Sequence, residues 1–214
     1  MTKVTIIGGS GYAGSHIVEA AADRGLEVTS MSRSEAAEQV TGVNYVTGSI
    51  LDAADRATAL AGADVVVVAV SPRGVMAGQV RPAVAALAAE AAEAGVRLGV
   101  IGGAGSLQAV DGGPRLAETP EFGDEYRPEA LEMAGVLDDL LAGPESLDWF
   151  LVSPAGDFGP WVAGEFTGQY RVGGDVLLTD AEGRSAIGGA DFGAAIADEI
   201  ETPTHHRARF TVAY

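Results

Sequence analysis

The sequence predicts an α/β protein built on one doubly wound parallel sheet, and three observations carry that expectation. Short runs rich in valine and isoleucine alternate with alanine-rich stretches whose apolar residues recur at three- and four-residue intervals. The run Val65–Val70 has no polar face, as a strand buried on both sides of a parallel sheet requires. Glycine and serine collect just beyond the apolar runs, after Ile7, Met31, Thr47, Val70 and Ile101. Alternating strands and helices favour parallel pairing, and ligands of such sheets sit beyond the carboxyl ends of the strands.

The first strand is expected at Val4–Ile7. It runs through Gly8-Gly9-Ser10-Gly11-Tyr12-Ala13-Gly14 into a helix that carries Ala13, Ile17 and Ala21 on one face. Strand, glycine turn, helix is the setting of a dinucleotide-binding fingerprint. One glycine permits the turn, a second lets backbone approach a pyrophosphate, and a third lets the helix pack closely on the strand. Both Gly9-x-Gly11-x-x-Gly14 and Gly8-x-x-Gly11-x-x-Gly14 fit. The N–H groups at the helix start then face the phosphates.

Gly25 stops the first helix, and Leu26–Met31 reads as the second strand. Ser32-Arg33-Ser34 follows, where an acid would take a ribose 2′-hydroxyl and an arginine a 2′-phosphate. Arg33 therefore points to NADP(H) in preference to NAD(H), with Glu35 the nearest acid. Val43–Thr47 is the third strand, Gly48-Ser49-Ile50-Leu51 its exit, and Asp52 the cap of a short helix to Leu60. The fourth strand, Val65–Val70, closes at Ser71-Pro72-Arg73-Gly74, and a long helix is expected over Val75–Ala94. Arg97–Ile101 is the fifth strand, ending in Gly102-Gly103-Ala104-Gly105-Ser106. Leu107–Arg127 is irregular, as binding loops often are. A helix from Pro128 to Leu141, a sixth strand over Leu147–Val152 and a second irregular loop, Ser153–Trp161, come next. A hairpin (Val176–Thr179 with Arg184–Ile187), a helix over Ala190–Glu201 and a last strand over Ala208–Val212 complete a single domain.

Composition narrows the function. A net charge of −17 leaves no basic surface to displace counterions from nucleic acid. No apolar run approaches the roughly 18–20 residues that span a bilayer. Cysteine is absent, which removes thiol nucleophiles and disulfides, and no metal site is expected. With no signal sequence at its start, the chain reads as cytoplasmic; a homo-oligomer is left open.

On these residues the chain resembles the atypical short-chain dehydrogenase/reductase superfamily, close to the small NAD(P)H-binding proteins grouped with flavin/biliverdin-type reductases and NmrA-like proteins. The resemblance spans nearly the whole length. It rests on the glycine motif, Arg33, Gly48–Asp52, Gly102–Leu107, Tyr126–Leu131 and Leu151–Ala155. It implies a Rossmann-like fold that holds the cofactor through Gly8–Gly14, Ser32, Arg33, Ser49, Ile50, Ser71, Gly102, Gly103 and Pro154. Ser49 stands where relatives usually carry an acid.

The departure is catalytic. Conventional members pair a tyrosine with a lysine four residues on, which lowers the phenol pKa. Tyr126 is followed at that spacing by Ala130, and Lys3, the only lysine, lies at the other edge of the sheet. Three chemistries stay open. In the first, hydride passes directly to a small acceptor such as a flavin or quinone, with Phe158 and Trp161 walling its pocket; in the second, Ser106 and Tyr126 act on a carbonyl; in the third, the domain binds NADP(H) as a redox sensor without turnover. An epimerase or dehydratase of nucleotide sugars is a further alternative with little room for its substrate. His205-His206 is expected at the surface, His16 capping or solvated, and Asp138-Asp139 on a solvated face.

Overall fold

Eight strands form one sheet in the computed structural model, which describes residues 1–162 and 165–214. The first half contains β1 (Lys3–Ile7), α1 (Tyr12–Asp23), β2 (Glu27–Ser32), β3 (Asn44–Thr47), α2 (Ala53–Leu60), β4 (Val65–Val68), α3 (Val80–Ala94) and β5 (Arg97–Ile101). The second half adds α4 (Arg127–Ala142), β6 (Trp149–Ser153), β7 (Arg171–Gly173), α5 (Gly189–Glu201) and β8 (Ala208–Ala213). The order across the sheet is β3-β2-β1-β4-β5-β6-β8-β7, and only β7 runs antiparallel to its neighbour. This is the Rossmann-like, doubly wound arrangement. The chain builds outward from β1 to β3, returns, and builds outward again from β4, so its switch point lies between β1 and β4.

Two cores cover the two faces. Val66 and Val68 point to one face, with Ile7, Leu87, Val100, Leu137 and Trp149. Val65 and Val67 point to the other, with Ile6, Ile17, Phe150, Phe192 and Phe210. All four valines of β4 are 4% exposed or less, which explains the absence of a polar face in that run. At the amino edge of the sheet, Arg97 and Glu199 form a buried ion pair at 2.6 Å. Burial opposes ionisation of Glu199, but hydrogen bonds from Arg97, His205 and Thr204 outweigh it and pull its pKa down to about 2.

Several expectations need correction. The long helix begins at Val80, not Val75: residues 74–76 form a 3₁₀ turn, and Gly74, its first residue, and Gly78, beyond it, have positive φ, which an α-helix cannot continue through. The expected hairpin is absent because its two halves pair elsewhere, Val176 with Gln108 and Ala186 with Asp157. The intervening turn is closed by the Asp180 N–H on the Arg184 carbonyl and by the Asp180 carboxylate, which accepts from the Glu182 and Arg184 N–H groups. The short strand β7 has an exposed first half and no apolar alternation to announce it. His205 is not simply a surface residue; it stacks on Phe210 and bonds Glu199. His16 packs edge-on to Tyr12 beneath α5. Asp138 and Asp139 do diverge, and they engage Arg115 and Arg81 respectively.

Candidate functional site

The glycine loop lies at the switch point and is bonded from below. Gly8 has φ +90°, donates to the Met31 carbonyl at 2.8 Å, and leaves no room for a side chain: a Cβ would stand 2.5 Å from the Ala69 carbonyl oxygen that follows β4. At Gly14 a Cβ would stand 2.1 Å from the Gly8 carbonyl oxygen. The Ser10 N–H donates to the Ser32 hydroxyl at 2.9 Å, so Ser32 supports the loop from β2.

The amino end of α1 is electrostatically open. Gly11 caps it without a side-chain hydrogen bond, and its first turn has no acid. The first intrahelical bond runs from Ser15 N–H to Gly11 O, so the N–H groups of Tyr12, Ala13 and Gly14 have no intrahelical acceptor. The next two helices differ. Asp52 caps α2 by accepting from Ala54 and Asp55. The Glu132 carboxylate, reaching over from α4, accepts from Gly78, Val80 and Arg81 at 2.7, 2.9 and 3.1 Å and neutralises the start of α3. The uncapped dipole at the switch point is that of α1, and it suits a pyrophosphate.

Around that loop the other expected residues take distinct places. Arg33 is exposed just past β2, with no carboxylate partner among the described residues. Beside it a cavity of about 230 Å³ is lined by Ser30, Ser32, Ser34, Glu35, Gln39 and Tyr45, among others. The Ser30 hydroxyl is buried there without a hydrogen-bond partner. Ser49 is half-buried, its N–H held by Asp55 and its hydroxyl by the Leu51 N–H, while the Ile50 side chain is in the core. Ser71 is exposed after β4, Gly102 and Gly103 are half-buried after β5, and Pro154 is buried after β6. These three exits are neighbours along the carboxyl edge.

Phe158 and Trp161 do not share one wall. Phe158 packs between Tyr12 and Phe192, joining α1 to α5, whereas Trp161 is 66% exposed and lies over Gly159. Ser106 is buried; its hydroxyl donates to the Gly103 carbonyl at 3.0 Å, lies 3.2 Å from the Ser153 hydroxyl and receives Arg209 at 3.2 Å. Tyr126 is 54% exposed. Hydrogen bonding to Glu125 and that carboxylate's charge push its phenol above the ordinary range, partly offset by Arg73. That shift is opposite to the one a lysine partner would produce.

Sequence reasoning missed Glu132, Arg209 and Ser30. Arg209 crosses from β8 to bond both the carbonyl and the hydroxyl of Ser106. Nothing local marks such residues, since their partners lie as many as 103 positions away.

Comparison with known proteins shows the family. The family profile described as NAD(P)H-binding matches residues 8–203. The chain belongs to the NAD(P)H-binding family. The uncharacterized protein YwnB of Bacillus subtilis (strain 168) is 37% identical over 220 residues, covering 98% of this chain and 97% of YwnB. A candidate epimerase of known structure from Bacteroides thetaiotaomicron is 31% identical, with a TM-score of 0.89 over 100% of this chain and 97% of its own. SP1627, a candidate NADH-flavin reductase from Streptococcus pneumoniae TIGR4, is 32% identical, with a TM-score of 0.84 and coverage of 100% and 99%. Among the described residues of this family member, no helix is long and apolar enough to cross a membrane and no group of acids and histidines is arranged to hold a metal.

Proposed function

We propose that the protein is an oxidoreductase that binds NADP(H) in preference to NAD(H) and passes hydride directly to a small acceptor of the flavin or quinone kind. The observation that carries this reading is the uncapped start of α1 at the switch point, next to glycines whose positions admit no side chain. The pyrophosphate would rest on the Tyr12–Gly14 N–H groups, the adenosine 2′-phosphate near Arg33, and the nicotinamide among Ser71, Gly102, Gly103 and Pro154. Glu35, which lines the cavity beside Arg33, is the residue that would favour a 2′-hydroxyl instead. The likeness to a candidate NADH-flavin reductase supports the choice of acceptor.

When bound, the reduced nicotinamide would supply the hydride, and water the single proton, that together convert a flavin or quinone ring to its dihydro form. The chain's own part is to orient the two rings and hold the edge rigid. Ser106, whose hydroxyl already donates a hydrogen bond to Gly103 O, braces the turn after β5, and Tyr126, a weakened acid, has no required role.

The test is a paired titration of the purified protein with NADPH and NADH, followed by cofactor oxidation with flavin mononucleotide, riboflavin and menadione. Tighter NADPH binding with turnover is the expected result. Tight binding without turnover across that panel would overturn the reductase reading and favour a redox sensor. Absence of binding by either nucleotide would overturn the site itself.

A further inference from the structure

We infer that the acceptor taken at this site is uncharged, a quinone or an isoalloxazine without a phosphate, and not a flavin nucleotide. The inference rests on the proposed reductase function and comes from the way the chain distributes its cations. At the adenosine end, Arg33 is exposed with no carboxylate partner among the described residues. At the acceptor end, beyond β4, β5 and β6, each arginine close to the edge is already engaged. Arg73, on the loop after β4, is bonded to Glu129 of α4. Arg209 is 6% exposed and divides its donors between Ser106 and Asp175. Arg127 is committed to Asp124 and to the carbonyls of Ala117, Thr119 and Phe122. The one lysine, Lys3, is at the amino edge, paired with Glu27.

What flanks the acceptor end is therefore anionic. Gly105, in the turn after β5, packs against Ala117, Phe122 and Ala130, so the segment from Leu107 to Ala130 lies along that turn. It carries six carboxylates and two arginines. Glu125 lies beside the exposed Tyr126 there, and Asp157 is exposed past β6. A phosphate monoester brought to this end meets no arginine without a carboxylate beside it. At Arg73 only the Nε is taken by Glu129, so a phosphate reaching the remaining guanidinium donors must sit against that carboxylate, whose charge opposes it. It also enters the field of a chain with net charge −17. A neutral ring meets neither obstacle. The partition also separates the two ligands: the fourfold anionic cofactor is anchored by its phosphates on α1 and at Arg33, and an anionic second ligand is turned away from the same cleft.

Riboflavin and flavin mononucleotide share one ring and differ by the phosphate, so they isolate the effect. Quenching of flavin fluorescence on protein saturated with NADP⁺ gives both dissociation constants without need of turnover, and NADPH oxidation gives both kcat/KM values. In 50 mM salt, riboflavin is expected to bind at least ~10-fold more tightly, with a matching kcat/KM advantage. The ratio should narrow toward 1 in 1 M salt, where the Debye length falls from about 14 Å to about 3 Å. Glu129→Gln releases Arg73 and should tighten flavin mononucleotide several-fold while leaving riboflavin unchanged. Equal or tighter binding of flavin mononucleotide at low salt, or equal response of both flavins to Glu129→Gln, would overturn the inference while leaving the reductase reading intact. Failure of riboflavin, flavin mononucleotide and menadione alike to bind or be reduced would overturn both.

Discussion

Replacing Gly14 by alanine adds a single methyl group at the most constrained point of the site. The nearest atoms to that methyl are all backbone: Gly8 O at 2.1 Å, Gly8 C at 2.8 Å and Gly9 Cα at 2.8 Å. A carbon facing a carbonyl oxygen normally keeps about 3.3 Å, so the loop and α1 must part by about 1 Å. No rotamer can absorb this. The displaced groups include the N–H donors offered to the pyrophosphate, and an error of about 1 Å in such a constellation costs on the order of 100-fold. Stability responds less, because alanine gains up to about 1 kcal/mol over glycine as a helix former, which offsets part of the strain. The assay is NADPH titration by nicotinamide fluorescence, with thermal unfolding measured with and without cofactor. Gly14→Ala is expected to raise the dissociation constant about 100-fold and to abolish the cofactor-induced rise in Tm, while the free protein still unfolds cooperatively. A variant with near wild-type affinity would refute the close approach of α1 to the loop as the basis of binding.

Other outcomes follow from single residues. Arg33→Ala should weaken NADPH at least ~10-fold and NADH little, read by paired titrations; equal losses would remove Arg33 from the 2′-phosphate. Tyr126→Phe should leave the reduction of riboflavin or menadione within about twofold, since the phenol's raised pKa makes it a poor proton donor, and a loss of several orders of magnitude would restore acid catalysis. Glu199, held at about pKa 2 against an ordinary 4.5, contributes roughly 3 kcal/mol that is fully present above pH 4.5 and is lost as pH falls toward 2. Glu199→Gln should lower stability in urea at pH 7 by a comparable amount and flatten the acid limb of the stability profile; an unchanged limb would contradict the assignment.

The architecture was legible in the sequence because the strands are short, apolar and separated by helices with clear periodicity. Val65–Val68 needed no partner to declare itself a central strand, and Gly8–Gly14 declared the turn and the ligand edge together. Local signals failed where backbone geometry or distant pairing decides. Val75 looks helical by composition, yet Gly74 and Gly78 hold their segment in a tighter turn. The residues around Ala181-Glu182-Gly183 do close a turn, Asp180 N–H on Arg184 O, yet the strands expected on either side pair with Gln108 and Asp157 instead of each other.

Sequence by itself determined the fold class, the order of the elements from β1 to β6 and the glycine turn, since each depends on neighbours within one strand–turn–helix unit. Only the tertiary structure decided which helix start is open to an anion. That depends on Glu132 reaching α3 from α4, about 50 residues along the chain. Only the tertiary structure revealed which arginines are engaged, because Arg73, Arg209 and Arg97 meet their acids across 56, 34 and 102 positions. A charge read from sequence is a formal count; its availability to a ligand is set by the carboxylates that folding places beside it.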